Sequence, residues 1–154
     1  MKLSTRGDYA VRALLELATE VDQEWVALAE LAERTGISPK YLEQILMRLR
    51  TARVVKAKRG ARGGYAFARP AAEVTIGEVV RAMDGPLAPS LCASQTAHAP
   101  CPVYRCPSEE DCVLRGLWVD VRDAISQVVD VTTFGDLAER RRQQDSAKRE
   151  MYHI

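Results

Sequence analysis

Cysteine, histidine and aromatic residues are scarce in this 154-residue chain: it has 4 Cys, 2 His and 6% aromatics. No apolar run approaches the roughly 18 residues of a membrane span. The opening, MKLSTRGDYAVRALLEL, lacks the unbroken apolar core and cleavage site of a secretory signal, so a cytoplasmic, reducing setting is expected. His98 and His153 are the only histidines. Neither belongs to a recognisable nucleophile-base constellation and no paired carboxylates are placed for acid-base work, so an enzyme is not expected. No cysteine lies outside Cys92 to Cys112, and none of the four forms a Cys-x-x-Cys pair. That weakens both a thioredoxin-type redox site and a zinc ribbon.

What is present is an adequate core and an uneven charge. Hydrophobic residues make up 47% of the chain, enough for one domain or a small domain with an appendage. The formal charge of +1 conceals 13 Lys and Arg against 8 Asp and Glu in residues 1–70, and 9 against 13 in residues 71–154. Arg48 to Arg69 holds eight basic residues and no acidic one. A patch of this kind is the electrostatic footprint of a phosphate-binding surface.

Apolar periodicity predicts a helix over about Ser4 to Glu20, with Thr5 and Asp8 spaced as a capping pair. A short helix over Leu28 to Thr35 ends at Gly36. Ser38 is placed to cap the next helix, Pro39 suits its first turn, and Leu42, Ile45, Leu46 and Leu49 form its buried stripe. The two helices, joined at Gly36-Ile37-Ser38, have the layout of a helix-turn-helix. Strands over Val54 to Lys58 and Tyr65 to Ala68, separated by a glycine-rich turn, add a basic wing. The expected fold is therefore mainly α with a small β wing, a winged helix-turn-helix. Its recognition helix presents Ser38, Lys40, Tyr41, Glu43, Gln44 and Arg48 outward, where Gln and Glu are suited to read base edges. Lys58, Arg59 and Arg62 in the wing would meet phosphates or enter a minor groove, the glycines keeping the turn slim.

Beyond the wing, Thr75 caps a predicted helix over Ile76 to Met83 that breaks at Gly85-Pro86. Leu114, Trp118, Val121, Ile125 and Val128 then form one apolar seam on a helix from about Glu110 to Val129. A single winged helix covers little DNA, so this seam is expected to form a homodimer that reads a palindromic double-stranded operator. The domain organisation is 1–84 for the winged helix, 85–112 for the cysteine loop, 113–142 for the dimerisation helix and a short final helix, and 143–154 for a solvated tail.

Eight residues separate Cys92 from Cys101, four separate Cys101 from Cys106, and five separate Cys106 from Cys112. Such spacing in a proline-containing loop suits an iron-sulfur cluster, while zinc and reversibly oxidised thiols stay open.

Taken together, "MKLSTRGDYAVRALLEL", "GISPKYLEQILMRLR", "RGARGGY", "VTIGEVVRAMDG" and "CVLRGLWVDVRDAISQVVDVTTFGDL" resemble the IscR and NsrR family of winged-helix transcription regulators over nearly the whole chain. The resemblance implies a homodimer whose promoter occupancy depends on an iron-sulfur cluster, two-iron or four-iron, held by cysteines. Cys92, Cys106 and Cys112 match the family's three cysteines, and Cys101 is extra. The iron-sulfur biogenesis members place a histidine three residues after the last cysteine; here Arg115 stands there and cannot ligate. Nitric-oxide-sensing members complete the site with an acidic residue of the first helix, a place matched by Asp8. The fourth ligand is thus Cys101, Asp8 of the partner subunit, or His98.

Overall fold

Helix α1, Thr5–Thr19, begins the chain in a computed structural model that describes residues 3–20, 24–60, 62–101 and 108–151. Its cap corrects the expected one. Ser4, extended at φ −71° and ψ 158°, accepts from the Gly7 backbone N–H, Thr5 is already helical, and Asp8 instead receives a 2.8 Å hydrogen bond from Arg12 one turn on. The cap falls one residue earlier because Ser4 is held from outside the helix: its backbone N–H and hydroxyl both donate to the Asp84 carboxylate.

Helix α2, Leu28–Thr35, ends where Gly36 turns left-handed at φ 68°. Helix α3, Pro39–Thr51, starts with proline in its first turn; Ser38 occupies the cap position, but its side chain makes no capping bond. Leu42, Ile45, Leu46 and Leu49 of α3 are all fully buried against Ala10, Ala13 and Leu14 of α1 and Leu31 of α2. Burial of each such side chain favours folding by about 1.5–3 kcal/mol. Arg53, left-handed at φ 58°, reverses the chain into the wing.

Strands β1, Val55–Lys58, and β2, Gly64–Phe67, pair antiparallel with Val55 opposite Phe67 and Lys58 opposite Gly64. A bridge from Val26 to Tyr65 ties the segment before α2 to the free side of β2. Gly64 permits this approach, since a Cβ there would lie 2.3 Å from the Val26 carbonyl oxygen.

Helix α4, Ile76–Asp84, is capped by the Thr75 hydroxyl, as expected, and crosses α1 closely enough that a Cβ on Gly7 would meet the Asp84 carboxylate at 2.5 Å. Helix α5, Val113–Val129, follows the cysteine segment. Helix α6, Phe134–Met151, runs well past the short final helix and covers residues expected to form a tail. Its start is a reciprocal cap: the Asp136 N–H donates to the Thr133 hydroxyl and the Thr133 N–H to the Asp136 carboxylate. Helix-favouring residues, with Arg142 and Gln143 bonded to Glu139, carry it onward.

The start of α6 belongs to the winged-helix core. Phe134 is fully buried, its ring centroid 5.9 Å from that of Phe67, and Arg141 bonds Glu16 of α1 at 2.6 Å.

Candidate nucleic-acid interface and cysteine site

The burial of one stripe of α3 leaves the other in solvent. Ser38, Lys40, Glu43, Gln44 and Arg48 are exposed. Tyr41 is only half-exposed, because its ring packs edge-on against Tyr9 at 6.0 Å. Lys58, Arg59 and Arg62 are exposed on the wing, whose turn uses Gly60 at φ 110° and closes with the Gly63 N–H on the Gly60 carbonyl. Recognition helix and wing flank one groove, lined among others by Glu43, Met47, Arg50, Lys58, Arg59 and Tyr65. Burial and the nearby Glu43 carboxylate push the Tyr65 phenol up from its ordinary value, with Arg50 opposing, so its hydroxyl stays protonated at neutral pH.

Met47 and Arg50, which the sequence-based expectation does not include, also line this face. Met47 is 56% exposed, and both it and Arg50 follow Gln44 or Glu43 at helical spacing. That spacing was the available signal.

Cys92 lies in a short 3-10 turn, Leu91–Ala93, where it is buried with its Sγ 3.2 Å from the Ser90 Oγ. Two arginines of α5 hold this turn by its backbone: Arg115 Nε donates to the Cys92 carbonyl at 3.0 Å, and Arg122 Nη1 to the Ala93 carbonyl at 2.6 Å. Ser94 accepts from the Thr96 and Ala97 N–H groups and shapes the next turn. His98 bonds Glu109 at 2.8 Å, which joins the loop to the approach to α5. Cys101 and Cys112 are half-buried, Cys112 just before α5, while Cys106 lies outside the described residues.

Thiolates are the standard donors for an iron-sulfur cluster. Among the described residues, however, no group of three or more His, Cys, Asp or Glu side chains is gathered as for a metal ion. Asp8 engages Arg12, and the hydrogen bond raises the Arg12 guanidinium above its ordinary value. His98 is directed to Glu109. The donor chemistry fits a cluster, but the described side chains of one protomer do not assemble its site.

Helix α5 has no buried residue. Val113, Leu114, Leu117 and Val128 are exposed, and Trp118, Val121 and Ile125 are half-buried. Its far end is fixed to α4 by Arg81, which forms two hydrogen bonds to the Asp130 carboxylate and one to Ser126. Arg81 holds Asp130 below the usual carboxylate range and is itself raised. No helix among the described residues is long and apolar enough to cross a membrane.

Comparison with known proteins agrees with this geometry. The transcriptional regulator CymR of Bacillus subtilis is 34% identical over 138 residues, 90% of each chain. Its structure, described as that of a global cysteine regulator, superposes with a TM-score of 0.73 at 33% identity, covering 91% of this chain and 98% of that one. The regulator IscR of Escherichia coli is 32% identical over 153 residues, 99% of this chain and 90% of its own. The structure of IscR from T. potens matches with a TM-score of 0.69 at 31% identity over 91% of this chain and 88% of that one. With residues 3–140 matching the family model described as iron-dependent transcriptional regulator, the chain belongs to the Rrf2 family and is a DNA-binding transcriptional regulator rather than an enzyme.

Proposed function

We propose that this regulator is a cytoplasmic homodimer that binds palindromic double-stranded DNA through α3 and the wing, and that the state of its cysteine segment sets its operator affinity. The observation that carries the reading is the pair of arginine bonds from α5 to the Cys92 and Ala93 carbonyls. A change at Cys92 alters the turn those arginines grip. If α5 joins two protomers, the change shifts the spacing of their recognition helices, and a coupling of about 1–3 kcal/mol suffices for a five- to hundredfold change in DNA affinity.

The state proposed first is occupancy by an iron-sulfur cluster on Cys92, Cys101, Cys106 and Cys112, with Asp8 of the partner subunit as the alternative fourth ligand. Such a cluster, two-iron or four-iron, would supply a centre reactive toward oxidants, nitric oxide or changes in iron-sulfur supply. The chain's own part is to hold the loop and transmit its position through Arg115 and Arg122.

A second reading keeps the fold and replaces the cluster with zinc or a thiol-oxidation switch. It is favoured by the engagement of Cys92 with Ser90. Anaerobic purification with iron, sulfide and zinc assays and an absorption spectrum separates the two. Visible thiolate-to-iron charge transfer with stoichiometric iron and sulfide, lost in Cys112→Ala, supports the cluster. Colourless protein whose DNA affinity follows thiol oxidation supports the switch.

A further inference from the structure

We propose that Trp25 is a positioning residue for DNA binding: its indole holds the ammonium groups of Lys56 and Lys58 ready for the phosphate backbone. The proposal rests on the reading of the wing as a phosphate-contacting element. Lys56 Nζ lies 4.9 Å from the Trp25 ring centroid and Lys58 Nζ 5.6 Å from it, both within the range of a cation-π attraction.

The wing's register explains how one ring reaches both lysines. Val26 pairs with Tyr65, so Trp25 aligns with Ala66, which in turn pairs with Lys56. Ala27 aligns with Gly64, which pairs with Lys58. Side chains in such rows share a face of the sheet. Val26 and Val55 are buried toward the core, so Trp25, Lys56 and Lys58 share the opposite face. On that face the middle strand offers only the methyl of Ala66 and the bare backbone of Gly64. The indole therefore crosses β2 without obstruction and meets lysines projecting from β1.

The Glu24 carboxylate stands 3.8 Å from Lys56 Nζ and is 74% exposed, a weak competitor for that ammonium. A lysine stem is flexible, and fixing its head group on a phosphate costs rotamer freedom. An ammonium already resting against the ring loses less of that freedom on binding, while its N–H groups directed away from the ring stay open to phosphate oxygens.

The test measures binding to a random-sequence duplex of about 30 base pairs, roughly three helical turns, across a salt series. Trp25→Leu is expected to weaken binding about two- to fivefold, and Trp25→Phe, which keeps an aromatic face, to recover most of it. Lys56→Met with Lys58→Met should lower the log-log salt slope by up to about two, and adding Trp25→Leu to that pair should change nothing further. Unchanged binding and slope in the double-lysine variant would refute the wing reading itself. An intact lysine effect with no loss in Trp25→Leu, or an equal loss in both backgrounds, refutes the positioning role alone. Should Trp25→Leu fail to fold, Trp25 emission in a Trp118→Phe chain replaces it. A DNA-induced change that disappears in the double-lysine variant sustains the proposal, and an emission insensitive to DNA overturns it.

Discussion

Helices α3 and α5 carry apolar side chains at the same helical spacing and end in opposite surroundings. Leu42, Ile45, Leu46 and Leu49 of α3 are fully buried within the protomer, whereas α5 has no fully buried residue, half-buries Trp118, Val121 and Ile125, and leaves Leu114, Leu117 and Val128 exposed. A helical stripe records that a face is meant to be covered and says nothing of what covers it. For α3 the cover comes from the same chain. For α5 a second copy is the occupant favoured here, since a twofold pair of winged helices gains a second DNA half-site.

The sharpest way to break the contrast is truncation of both stripes. Leu46→Ala removes a fully buried side chain and should cost about 2–5 kcal/mol in denaturant unfolding. The matched change Leu117→Ala, at a residue 49% exposed in the protomer, should cost the protomer far less. An equal loss at the two positions would end the distinction.

A charge on α5 asks the complementary question. Leu117→Glu should leave helicity intact and weaken self-association roughly a hundredfold, about 2.7 kcal/mol, as read by sedimentation over a concentration series. Unaltered association would remove α5 from the dimer interface. On the exposed face of α3, Gln44→Ala should cost about 1–3 kcal/mol of discrimination on an operator selected from random sequence, with little effect on random DNA. Equal losses on both would deny it a base-reading role.

The contrast also explains what the sequence made legible. Local signals worked at Gly36, which stops α2, at Thr75, which caps α4, and along the α3 stripe, which finds the core, though not at Ser38, whose side chain makes no capping bond. They failed where a distant partner decides. Ser4 becomes the cap of α1 because Asp84 holds it, a contact across 80 residues. Phe134 and Ala138 looked like parts of a segment beyond the dimer helix, yet they complete the winged-helix core. No periodicity records that return, because it depends on Phe134 N–H bonding the Val74 carbonyl and Ile76 N–H bonding the Thr132 carbonyl. At the interface the basic patch and glycine turn were readable, whereas the covering of β2 by Trp25 depends on a bridge between separated segments. Of the four candidate cysteine ligands, Cys92, Cys101 and Cys112 are among the described residues and Cys106 lies outside them.

The smallest expected effect lies at the joint where the two regions meet. Arg81 of α4 grips Asp130 just beyond α5, and a Cβ on Gly77 would lie 1.9 Å from that carboxylate, so the contact is close as well as charged. The side chains are 31% and 38% exposed, which limits the pair to about 1 kcal/mol after solvent screening. Arg81 depresses the folded-state pKa of Asp130 below its unfolded value, so the contribution is complete above the ordinary carboxylate range. It is lost as pH falls through the lowered folded-state value. Asp130→Asn should therefore be less stable than the parent chain near neutral pH and should approach it in strong acid, with urea unfolding at each pH as the measurement. A difference that persists in acid would assign the contribution to the hydrogen bonds that the carboxyl oxygens accept from Arg81 and that an amide cannot all replace, rather than to the carboxylate charge.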